Sequence, residues 1–429
     1  MRTAGRWTAL AVGTLATAAL LVGCSTVDSK PSSSSTPGAP ASGDITVATT
    51  SSNQPAMTAV VAAFEKSHPS IKVTVNYADT APYQSNLRTQ LSAGTAPDVF
   101  TVWAGSGNAG AVKILQKAGY LTDLSSSAWV AKIPASLKKQ IAIDGKYYGL
   151  PSKLDAIGAI YDKGTLEDLG LKVPTTWTQL LSFCKDVKSQ GKVAFALGNQ
   201  TTWVTQLIDY ALVANTVYGK DPTFDRAMSS GDATFAKSGW VTAMNKYLAM
   251  DKAGCFNSDP LGTDVNASYN LLADGKAVAA VQVMSSLPQI QATAAKGTEF
   301  GFFVIPATDS AKQNMPVGVG VSFALNKKAK NAAAGRAFID WLGTADAIRT
   351  WFAASPGIPT IDVSGVNAQP AVQAALDQIA SGKTAPFPDA NWPNPQVQNA
   401  HLIGVQNLFS GSQDPQQVLA SMQSAYDGT

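Results

Sequence analysis

Between residues 45 and 118 the chain switches repeatedly between two hydrophobic periods, and no other stretch restricts the fold as strongly. Ile45-Thr46-Val47-Ala48-Thr49 is β-branched and reads as a strand. Residues 55–68 place Val60, Val61 and Phe64 at helical spacing. Ile71-Lys72-Val73-Thr74-Val75 returns to period two, 83–93 to helix, 98–103 to an apolar strand, and 109–118 to a helix stopped by Gly119. Strands separated by helices predict a parallel sheet with helices packed on its faces. Ligands of such sheets sit beyond the carboxyl ends of the strands. Those ends are 49–53 and 103–108.

Further along, the spacing predicts helices over 177–190, 203–214, 239–250 and 267–273. Strands are expected over 193–197, 277–283 and 300–305, and a single strand over 317–325 leads into a helix over 329–342. After Pro356-Gly357-Ile358-Pro359 the pattern is mainly helical. The body, 44–429, is long enough for two domains. Charged residues make up 14% of the chain, against about 25% in an average protein. The net charge of +3 falls to about +1 once Arg2 and Arg6 are removed with the leader. That balance offers no basic stripe for nucleic acid.

Residues 1–23 have the layout of a secretory signal: Arg2 and Arg6, then an uncharged apolar run shorter than the roughly 18–20 residues of a membrane span. Its ending, Leu21-Val22-Gly23-Cys24, resembles the bacterial lipobox, in which the cysteine becomes the lipidated first residue. Residues 24–43 follow as a Ser/Pro/Gly tether with no aromatic, too polar to fold. The expected location is the extracellular face of the cytoplasmic membrane, anchored through Cys24. Cys184 and Cys255 remain. In an exported chain such a pair is read as a disulfide, with two buried thiols as the other reading.

Several short runs, taken in order, resemble the extracellular solute-binding proteins (family 1, maltose-binding-like) of bacterial ABC sugar importers. They are Phe64-Glu65-Lys66-Ser67-His68-Pro69 before a strand, Gly94-Thr95-Ala96-Pro97-Asp98-Val99, and Asp144-Gly145-Lys146-Tyr147-Tyr148-Gly149-Leu150-Pro151. Ile160-Tyr161-Asp162-Lys163, Pro174-Thr175-Thr176-Trp177, Gly275-Lys276-Ala277 and Phe338-Ile339-Asp340-Trp341-Leu342 complete the series. The resemblance implies an α/β, two-lobed periplasmic-binding-protein-like fold with hinge crossings and a central ligand cleft. It places one lobe at 44–152 plus 318–355 and the other at 153–317 plus 356–429. The crossings fall near 151–155, 316–320 and 356–359. The implied partners are a neutral mono- or oligosaccharide and the permease subunits of an importer, with the binder itself a monomer.

A neutral sugar needs flat aromatics for its C–H faces and carboxylates or amides for its hydroxyls. Trp103 stands at the cleft mouth, where maltose-binding members carry a sugar-touching tryptophan. Ser106 and Asn108 share its loop. Asp155 follows the hinge proline where the family often places a sugar-binding acid. Trp203, at the end of the polar run 199–202, matches a stacking aromatic. Trp392 sits in Asn391-Trp392-Pro393-Asn394-Pro395, an irregular loop that reads as a stacking platform. Ser51, Ser52 and Asn53 end the first strand. Maltose binders carry a tryptophan soon after the strand matching 277–283. Here the segment reads Gln282-Val283-Met284-Ser285, which argues against a maltose-like mode and makes Gln282 a ligand candidate.

Other chemistries are poorly served. Gly105-Ser106-Gly107-Asn108-Ala109-Gly110 matches a dinucleotide glycine pattern, but no acid follows at a strand end about 20 residues on. His68 and His401 are the only histidines, so no histidine metal cluster and no cofactor are expected. There is no G-x-S-x-G elbow. Arginine is scarce, which disfavours anionic ligands. The rival reading is a surface-anchored glycoside hydrolase, which needs a second carboxylate facing Asp155 within about 10 Å.

Overall fold

Two β-sheets organise the computed structural model, which describes residues 41–310 and 312–429. The leader over 1–23, Cys24 and nearly all of the expected tether lie outside those residues. The tether ends earlier than expected, because Gly43 already pairs with Ile71 in the first strand.

The strands are β1 (Gly43–Thr50), β2 (Ile71–Ala78), β3 (Val99–Trp103), β4 (Leu150–Pro151), β5 (Lys153–Asp162), β6 (Val193–Phe195), β7 (Ala277–Val283), β8 (Phe300–Phe303), β9 (Met315–Val319), β10 (Val321–Leu325), β11 (Ile358–Pro359) and β12 (Thr384–Ala385). The first sheet has the order β2-β1-β3-β10-β4. Its β1–β2 and β1–β3 pairs are parallel, as the strand–helix alternation implies, but β10 runs antiparallel to β3 and β4. The sheet is therefore mixed. Val47, Val99 and Phe323 pack on one face with Phe64, Trp129 and Phe338. Ala48, Phe100, Val102 and Ala324 pack on the other with Tyr83, Leu87 and Leu115. Successive residues of a strand point to opposite faces, so both faces of this sheet are buried.

The second sheet runs β12-β9-β5-β7-β6, with β8 and β11 also on β5. Here β5 is antiparallel to β7, β8, β9 and β11. The chain passes from the first sheet to the second across Ser152 alone, between β4 and β5. It returns across Gly320 alone, between β9 and β10. The expected single strand over 317–325 is thus two strands in different sheets. Gly320, the residue between them, lies against the Asp155 carboxylate, where a Cβ would not fit.

Helix starts follow local capping. Asp162, Thr176 and Asp264 each accept a hydrogen bond from a backbone N–H of the helix they precede, satisfying donors that helix geometry leaves over. Cys184, on the helix Trp177–Ser189, is bonded to Cys255, 71 residues away. Closing a loop that long stabilises by about 4 kcal/mol in the chain-entropy model. Both sulfurs lie in the core of the second lobe.

Candidate functional site

A cleft of about 660 Å³ lies between the two sheets, within the range of roughly 300–1,000 Å³ typical of small-molecule sites. Its first wall is built at the carboxyl ends of β1 and β3, as the strand–helix alternation requires. Thr50, Ser51, Ser52, Trp103 and Asn108 line it. The Trp103 ring is held in place. The Tyr83 hydroxyl donates to Thr101 O at 2.8 Å, and the Tyr83 ring meets Trp103 edge-on at 5.8 Å. Beneath the indole lies Gly110, where a Cβ would sit 2.8 Å from the ring. Asn108 is spent partly on its own loop, its Oδ1 accepting the Gly110 N–H at 2.9 Å.

The floor is the start of β5. Lys153 and Asp155 alternate onto the same side of the strand and both line the cleft. Ser285 donates to Asp155 twice, from N–H at 2.9 Å and from Oγ at 3.1 Å. Lys153 Nζ donates to Asn53 Oδ1 at 2.9 Å. Burial holds the Lys153 ammonium below the usual lysine range, with the charge of Asp155 opposing that shift.

The second wall is a helical face. Trp203, Gln206, Leu207 and Tyr210 recur at helical spacing and all line the cleft. Beside them Gln398 Nε2 donates to Asp389 Oδ2 at 3.0 Å and to Gln206 Oε1 at 3.1 Å. Loss of hydration pushes the Asp389 carboxyl up to about 6, against opposing effects from Tyr210 and His401. Phe387 completes the wall and packs on Gly318, where a Cβ would lie 3.0 Å from its ring.

At the lip the walls touch. Ser106 Oγ donates to the Trp392 carbonyl at 2.6 Å. Side chains at Gly105 and Gly107 would run into the carbonyl oxygens of Ala390 and Asp389. The glycine pattern that imitates a nucleotide motif here permits backbone-on-backbone contact between lobes.

Of the residues expected at a ligand site, the cleft brings together Ser51, Ser52, Trp103, Asn108, Asp155 and Trp203. The other expected residues are used differently. Asn53 is buried behind the wall, donating to Thr49 Oγ1 at 2.9 Å and accepting from Lys153. Ser106 joins the lobes. Gln282 is 1% exposed in β7, an interior strand between β5 and β6. Trp392 is 3% exposed and packs among Tyr210, Phe235, Trp240 and His401. It is a core residue of the second lobe, not a surface platform. Lys153, Gln206, Tyr210, Phe387, Asp389 and Gln398 also line the cleft, and the sequence did not single them out. The i, i+3, i+7 spacing of Trp203, Gln206 and Tyr210, and the alternation of Lys153 with Asp155, were the available signals. Asp79, Asp264 and Asp389 also line the cleft beside Asp155. Asp264 is committed to its helix, accepting the Ala267 N–H at 2.7 Å.

Comparison with known proteins agrees with this architecture. The family described as bacterial extracellular solute-binding protein matches residues 48–348. The chain is 23% identical over 305 residues to the multiple sugar-binding protein of Streptococcus mutans, covering 68% of this chain and 69% of that one. It superposes with a TM-score of 0.78 and 19% identity on a protein described for xylan utilization by Caldanaerobius polysaccharolyticus, covering 89% and 99% of the two chains. A sugar transporter of Bacillus licheniformis in complex with stachyose superposes with a TM-score of 0.73 and 20% identity, covering 90% and 99%.

Proposed function

Because the chain belongs to the bacterial extracellular solute-binding proteins, we propose that its cleft captures a neutral mono- or oligosaccharide and hands it to the permease of an ABC importer. One observation carries the reading: Trp103 and Trp203 line one cleft from opposite lobes, with Asp155, Asp389 and Gln398 around them. Aromatic faces suit the C–H surface of a sugar ring, and ionised acceptors make the stronger bonds to its hydroxyls. The names of matched proteins, including a multiple sugar-binding protein and a stachyose complex, support the same ligand class.

A ligand that touches both walls favours the closed arrangement, because only there does it gain both sets of contacts. The moving bodies are 44–152 plus 320–355 and 153–319 plus 356–429, with the expected boundary at 318 shifted to 320 because Gly318 and Val319 pair with β5 in the second sheet. Binding leaves the sugar chemically intact, so the sugar recovered after incubation should be unchanged. A sugar panel in a thermal-shift screen tests the ligand class, since ligand at 100 times its dissociation constant stabilises by about 2.7 kcal/mol. Amino acids or peptides shifting the melt in place of sugars would overturn it. For the stabilising sugar, Trp103→Ala and Trp203→Ala are each expected to weaken binding about ten-fold while the far-UV spectrum stays unchanged. Wild-type affinity in both variants would remove the stacking site.

The leader ending in Cys24 supports a lipid anchor that keeps the binder beside its permease. Cys24→Ser is expected to move the protein from the membrane fraction into the medium. Retention of that variant in the membrane would oppose the anchor.

A further inference from the structure

Lys153 is the one cation on the floor of the cleft that is buried at the crossing between lobes: it is 6% exposed, at the first residue of β5. An ammonium carries three donors. Among the described residues its recorded hydrogen bond is the one to Asn53 Oδ1, at 2.9 Å, and no carboxylate lies within ion-pair distance of it. Asp155, two residues along on the same side of the strand, accepts two hydrogen bonds from Ser285. A buried charge without compensating bonds is costly, so an acceptor from the cleft has much to offer this group.

Resting on the proposed sugar-binding function, we infer that Lys153 is a specificity-determining ligand residue whose ammonium donates to an oxygen of the bound sugar. Asp155 takes a neighbouring hydroxyl. The two side chains stand about 6.6 Å apart along the strand, one a donor and the other an acceptor. Together they read two nearby oxygens of one sugar with opposite hydrogen-bonding roles. The oxygen on Lys153 is a hydroxyl in a neutral sugar or a carboxylate in its uronic acid, and the same chemistry serves both. Because the Lys153 ammonium also bonds Asn53 in the first lobe, this contact sits where the lobes pivot.

The test titrates wild type, Lys153→Met, Lys153→Arg and Asn53→Ala by calorimetry. The probes are xylose, glucose, galactose, raffinose and stachyose, with glucuronate and galacturonate as the acidic arm, followed by monodeoxy analogues of the sugar that binds. Wild type is expected to lose about ten-fold or more in affinity at one deoxy position, or on exchange between a neutral sugar and its uronic acid. Lys153→Met should bind the parent sugar about ten-fold more weakly and lose that discrimination. Asn53→Ala, which keeps the ammonium, should retain it. If Lys153→Met fails to fold, Lys153→Arg decides, because moving the donors should reorder the sugar ranking. Unchanged discrimination in a folded Lys153→Met, or an unchanged ranking in Lys153→Arg, overturns the inference alone. Absence of binding by every sugar to wild type overturns the proposed function, and the role of Lys153 with it.

Discussion

Trp392→Ala should cost the protein about 3–5 kcal/mol of stability, the usual penalty for deleting a large aromatic from a packed core. The indole is 3% exposed. It lies 6.2 Å from the Tyr210 ring, 6.1 Å from Phe235 and 6.1 Å from Trp240. His401 meets it edge-on at 6.1 Å and holds Asp209 at 3.0 Å, with both of those side chains fully buried. A void here would loosen the second lobe and bring water toward that pair. Denaturant unfolding gives the loss directly. Sugar affinity of the folded variant should change much less than in Trp103→Ala, because Trp392 is absent from the cleft lining. Stability within about 1 kcal/mol of wild type, below the range for such deletions, together with lost affinity would return Trp392 to the ligand.

Gly105→Ala and Gly107→Ala should each weaken sugar binding about ten-fold or more, a loss of about 1.4 kcal/mol or greater. Neither position has room for a methyl group while the lobes touch, since each faces a backbone carbonyl of the other lobe. Separating the walls relieves the clash, so the substitutions act against the closed arrangement that the ligand requires. Gly105 also adopts φ +78°, where a side chain costs roughly 1–2 kcal/mol wherever it occurs. Gly119 provides the control: it has the same φ of +78° and nothing within 4 Å of an added Cβ. Gly119→Ala should reproduce the backbone strain and leave affinity intact. Equal affinities for the three variants would show that the lip contact has no part in closure.

The strand–helix alternation over 45–118 was readable because hydrophobic period is a local property. A strand buried on alternate faces and a helix buried on one stripe write different spacings into neighbouring residues. The positions of Ser51 and Trp103 follow from it, since ligands gather where such strands end. The break at Gly320 was not readable from hydrophobic period, although the family resemblance places a crossing at 316–320. Nothing in 317–325 differs in period from one long strand; β9 belongs to the second sheet because it pairs with β5, and Asp155 occupies the space a side chain at 320 would need. Trp392 misled for a related reason. Flanking prolines and asparagines describe its backbone, while its burial depends on the helices Gln206–Thr216, Gly239–Lys252 and Pro395–Ser410 closing around it.

Gln282 shows the same limit at a single residue: a polar side chain in an apolar strand reads as a ligand, yet β7 lies between β5 and β6 and buries it. The linear chain by itself determined the fold class, the family and the strand ends that furnish the first wall, because those depend on local period and short ordered motifs. Only the tertiary structure decided which polar residues meet across the cleft. That outcome rests on contacts between residues a hundred or more positions apart, such as Lys153 with Asn53 and Ser106 with Trp392, and no local pattern encodes them.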